Sequence, residues 1–166
     1  MNKTYRNLIM WSLYAVLFMM TIVVQSVFFG DVRFFGAKVS LIPIAIVCIS
    51  MQVNHEQAAV FSLIAALFWH LSGADGGTMG IITLTVIGIL SGYLCDALYA
   101  RRLFLAVLLS IGAVVIHEGS VFLLKCYLEQ ASLSRWITVP VAAALAIPCC
   151  PLLYLLGKLL RKAGAA

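Results

Sequence analysis

Acidic residues are scarce in this chain. Among its 166 residues there are six Asp and Glu against eleven Lys and Arg, and charged residues of both signs reach only 10%. A soluble domain carries about a quarter. The net charge of +5 rests on few cations, most of them at the ends of apolar segments, so it is not a nucleic-acid footprint. Catalytic patterns are missing too. No Gly-x-Ser-x-Gly or phosphate loop occurs, and His117-Glu118 is followed by Gly119, Ser120 and Val121 rather than a second histidine. No hydrolase triad can be assembled, and an enzyme is not expected. The five cysteines (Cys48, Cys95, Cys126, Cys149, Cys150) are odd in number and lack ligand spacing. That excludes a disulfide framework and a zinc site, and leaves them as small buried hydrophobes.

What fills the chain is apolar. Hydrophobic residues make up 64%, more than a globule of this size could hide from water. Six stretches predict membrane helices over 8–29, 37–53, 57–72, 79–99, 103–127 and 136–157. The expected fold is an all-α integral membrane protein, one six-helix domain spanning 1–166, with no room for an extramembrane domain. Lys3 and Arg6 precede an apolar run too long for a cleaved signal, so the first segment is expected to stay as a helix. The second and third segments read as a tight helical hairpin in locally thinned bilayer. Pro140, Pro148 and Pro151 interrupt the sixth, with a kink expected near Pro148.

Basic residues orient the bundle. Lys3, Arg6, Arg101, Arg102, Lys158, Arg161 and Lys162 fall on one side of a six-pass arrangement, and Arg33, Lys38 and Arg135 on the other. The asymmetry predicts both termini in the cytoplasm.

Three groups of residues stand out. His117 and Glu118 lie near the middle of the fifth segment, where a carboxylate is costly and must face protein or a wet cavity. Two readings stand for it: a polar seat for a partner helix or ligand, and an internal hydrogen bond that locks the bundle. His117 shares a small, polar face with Ser110, Ala113 and Ser120. Gly88 and Gly92 form a small-xxx-small pair on a stripe with Thr85 and Asp96, suited to close approach of another backbone. Asp96 lies a turn before Arg101 and Arg102 and is expected to face them or the headgroups. Trp69, His70 and Asp75 mark the outer end of the third helix and its glycine-containing loop. They read as interfacial polar residues, or as the lining of a small-molecule pocket.

From Gln57 to Arg102 the chain reads QAAVFSLIAALFWHLSGADGGTMGIITLTVIGILSGYLCDALYARR. This block resembles the rod shape-determining protein MreD family. Leu71-Ser72-Gly73, Gly80, Gly88 and Gly92-Tyr93-Leu94 carry the resemblance, with Arg6, Trp11 and Gln25-Ser26 in the first segment. The family's third-helix glycines stand here as Ser62 and Ala66, and its aspartate as His70. The resemblance implies a non-enzymatic component of the bacterial cell-elongation machinery in the cytoplasmic (inner) membrane, without a cofactor. Its implied partners are the single-pass protein MreC and the wall synthases, RodA with a class B penicillin-binding protein. The actin-like MreB would lie on the cytoplasmic side, and a homo-oligomer is allowed. The architecture is also similar to that of the substrate-binding subunit of an energy-coupling-factor vitamin transporter, the alternative reading. That class usually carries Ala-x-x-x-Ala in its first helix, where this chain has only Ala15.

Overall fold

The computed structural model describes residues 3–30, 33–34, 37–72, 77–98, 102–129 and 136–165. Helix α1 spans Lys3–Phe28. A two-residue antiparallel ladder follows, β1 (Arg33–Phe34) against β2 (Ala37–Lys38), with Arg33 opposite Lys38. Then come α2 (Ile42–Ser50), α3 (His55–Leu71), α4 (Gly77–Ala97) and α5 (Leu103–Glu129). Two helices end the chain, α6 (Thr138–Ala146) and α7 (Cys149–Ala165).

Two segments differ from the sequence expectation. The segment expected over 37–53 is helical for only nine residues. Pro43 sits in the first turn of α2, lacks a donor and clashes with any earlier turn, so the helix cannot grow backwards. The segment expected over 136–157 is two helices, the bundle-facing α6 and a longer α7, bent by 45° at the break. Pro148 lacks the N–H needed to carry α6 on, and Pro151 is tolerated in the first turn of α7, where no helical bond is lost. α7 then runs on to Ala165, beyond the expected end.

Among the described residues, three helices are long and apolar enough to cross a bilayer: Asn7–Phe28 within α1, all of α4, and Leu103–Leu128 within α5. The bent α6–α7 pair meets the same test when its two helices are taken together as one span. α2 rises about 14 Å and α3 about 26 Å, against a hydrocarbon core of about 30 Å. The outside is apolar: Val16, Val23, Ile64, Val86, Leu108 and Leu123 are all exposed. Such a surface suits lipid and not water, so the chain is a multi-pass membrane protein.

α2 is the centre of the molecule. Every residue from Ile42 to Ser50 is buried, and α1, α3, α4, α5 and α7 all pack on it. A helix that is apolar all round must be surrounded by protein or by lipid; here the neighbours are protein. α2 and α3, joined by a short link, do pack on each other, but α3 packs most extensively along α4.

Contacts between helix ends define two poles. Gln25, near the end of α1, reaches the chain entering α2: its Nε2 donates to the Val39 carbonyl (2.5 Å) and its Oε1 accepts from the Leu41 N–H (2.7 Å). At the other pole the Cys95 thiol of α4 donates to the Met51 carbonyl just past α2 (3.6 Å). The α7 backbone at Gly157 lies against Gln52 and the Cys48 carbonyl. The start of α1, the end of α2, the start of α3, the end of α4, the start of α5 and the end of α7 therefore share one pole. Both ends of the described chain lie there.

Candidate functional site

The most tightly built feature is the α3–α4 pair. Gly88 faces Ser62: a Cβ added at Gly88 would overlap the Ser62 side chain and approach Ile46 Cγ2 to 3.2 Å. One turn on, a Cβ at Gly92 would stand 2.7 Å from Ala58 Cβ and 3.2 Å from His55 Cα. The two glycines on α4 thus meet Ala58 and Ser62 on α3, also four residues apart. Small residues on both helices allow the backbones to touch, the main source of helix association where lipid replaces water. The Ser62 hydroxyl donates to the Ala59 carbonyl of its own helix (3.0 Å) and lies 3.3 Å from the Thr85 carbonyl across the seam.

Asp96 closes this seam at the pole that holds both ends of the described chain. Its Oδ2 accepts from the His55 N–H (3.0 Å) and lies 3.2 Å from His55 Nδ1. Asn54 is the N-cap of α3 but makes no side-chain capping bond. The carboxylate of α4 does that work across the seam, where an anion is favoured by the helix dipole. Asp96 was expected beside Arg101 and Arg102; its contact with the start of α3 was not legible, because the two residues are 41 positions apart.

A second polar group lies where α4 meets α5. His117 is buried, with its Nδ1 3.2 Å from the Thr83 hydroxyl. That hydroxyl also reaches the Met79 and Gly80 carbonyls at 3.0 and 3.1 Å. Gly80 leaves the imidazole room, since a Cβ there would stand 3.8 Å from His117 Cε1. Ser110, Ala113 and His117 turn inward together, and Ser120 is half-buried on the same face. Glu118 is half-buried and engaged in an interaction within the chain. Thr85 donates to the Ile81 carbonyl of its own helix (2.8 Å).

At the other pole Trp69 is half-buried and packs against the core, with His70 half-buried beside it. Asp75 lies outside the described residues. Two further buried polar residues make contacts that the sequence did not reveal: Gln25 at the entrance to α2, and Ser110, whose hydroxyl lies 3.3 Å from Cys150 Sγ. The signal for Gln25 was a lone amide near the end of an apolar helix, where only a backbone partner could satisfy it.

Compared with family models, with curated proteins and with solved structures, the chain gives no match.

Proposed function

We propose that this chain is a non-enzymatic scaffold of the bacterial cell-elongation machinery. It would sit in the cytoplasmic membrane with six crossings and both termini in the cytoplasm. The observation that carries the reading is the α3–α4 pair. The MreD-like block, Gln57 to Arg102, is built around this one seam, in which Gly88 and Gly92 fit Ala58 and Ser62. A scaffold needs a rigid shape on which partner helices register. Gln25, Ser62, Thr83, Asp96 and His117 all spend hydrogen bonds on fastening one element to another. MreC, and RodA with a class B penicillin-binding protein, are the partners this reading assigns, and MreB would lie on the cytoplasmic side.

Purification in mild detergent tests the reading. The scaffold account expects MreC to copurify, with the wall synthases in stoichiometric amounts. A tightly held vitamin in the purified protein, with no MreC, would replace it with the substrate-binding subunit of an energy-coupling-factor transporter.

A further inference from the structure

The pole that holds both ends of the described chain is not uniform in charge. α1 and α7 pack on each other, and neither helix contains an Asp or Glu. α1 begins with Lys3 and Arg6 in its first turns, and α7 ends with Lys158, Arg161 and Lys162. The last three are exposed. Carboxylates at this pole belong to the α3–α4 side: Asp96 is held by His55, and Glu56 sits in the first turn of α3. The α1–α7 edge therefore carries three exposed cations on α7, beside a helix whose first turns contain Lys3 and Arg6, with no acid in either helix.

Apolar surface adjoins these charges. Leu152, Leu155, Leu156 and Leu159 are exposed on α7, one to two turns before the basic cluster and interleaved with it. Tyr5 is exposed near the start of α1. Exposed leucines suit acyl chains, long Lys and Arg side chains can extend from such a helix to the headgroups, and a tyrosine favours the interface. A negative group held here must therefore lie at headgroup depth, beside acyl chains.

From this geometry we propose that the α1–α7 edge at this pole is a binding surface for anionic phospholipid headgroups. Clustered cations immediately beside a membrane helix attract such lipids, and each contributes about a fivefold gain in local preference. The inference does not depend on the scaffold reading.

The test uses the full chain reconstituted in phosphatidylcholine vesicles with a trace of spin-labelled phosphatidylglycerol or spin-labelled phosphatidylcholine. The motionally restricted fraction reports lipid held at the protein surface. The wild-type chain is expected to restrict phosphatidylglycerol several-fold more than phosphatidylcholine, and raised salt is expected to shrink that preference. The combined variant Lys158→Gln, Arg161→Gln, Lys162→Gln is expected to lose most of that preference while restricting phosphatidylcholine as before. Equal restriction of the two lipids by the wild-type chain would overturn the proposal, as would a preference indifferent to salt or unchanged in the variant. Displacement of the labelled phosphatidylglycerol by millimolar inorganic phosphate would overturn it too, by making the surface a free-phosphate site. The salt series on the wild-type chain decides the matter even if the variant does not fold.

Discussion

At the scale of single residues, the polar side chains in this bundle act as fasteners. Gln25 holds two backbone groups of the chain entering α2. Gln25→Leu would leave a buried carbonyl and a buried N–H unpaired, at about 1–3 kcal/mol each. The variant is expected to unfold well below the wild type in a thermal melt in detergent. Gln25→Glu keeps the acceptor for Leu41 and should fall between the two. Thr83→Val should cost about 1–2 kcal/mol by the same measurement, because it strands the imidazole of His117. Glu118 calls for a functional readout. A carboxylate at its depth costs about 3 kcal/mol on insertion scales. If it serves assembly, Glu118→Leu should accumulate normally in the membrane yet fail to complement, and Glu118→Gln should do less harm. Full complementation by the leucine variant would remove Glu118 from the functional surface.

At the scale of elements, glycine positions separate close approach from open space. Gly92→Ala would push α3 and α4 apart, since the new methyl would stand 2.7 Å from Ala58 Cβ. Overpacking of this kind costs about 1–3 kcal/mol. Adding Ala58→Gly returns the lost space and is expected to restore much of the stability. Gly157→Ala is the contrast: its methyl would meet Gln52 Cγ at 3.6 Å, an ordinary contact. There the gain in helix propensity of up to about 1 kcal/mol should win, and the melt should be unchanged or higher. A destabilised Gly157→Ala protein with a normal Gly92→Ala protein would invert the packing described.

The element scale also shows what could be read beforehand. α1, α4 and α5 were legible because each is a long apolar run without proline inside it. The Gly88–Gly92 stripe was legible as a place of close approach, although its partner was not. α2 was misjudged because an apolar run looks the same whether lipid or protein surrounds it. Its late start follows from Pro43 in the first turn. The bend before α7 was foreseen from Pro148, while the splitting into two helices was not. The Asp96–His55 and Gln25–Leu41 contacts join residues distant in sequence, and no local spacing announces such pairs.

At the scale of the whole molecule, the first residues of α1 and the last of α7 lie at one pole with most of the basic residues. Accessibility tags at positions 2 and 165 should therefore report the same compartment, and the basic asymmetry predicts that it is the cytoplasm. The scaffold reading makes the larger claim, and cell shape tests it most directly. Depletion of the protein in its host, followed by microscopy with a fluorescent label for new wall, is expected to give rounded cells that have lost lateral wall synthesis. Depleted cells that keep their rod shape and lateral synthesis, and grow only when a vitamin is supplied, would contradict it.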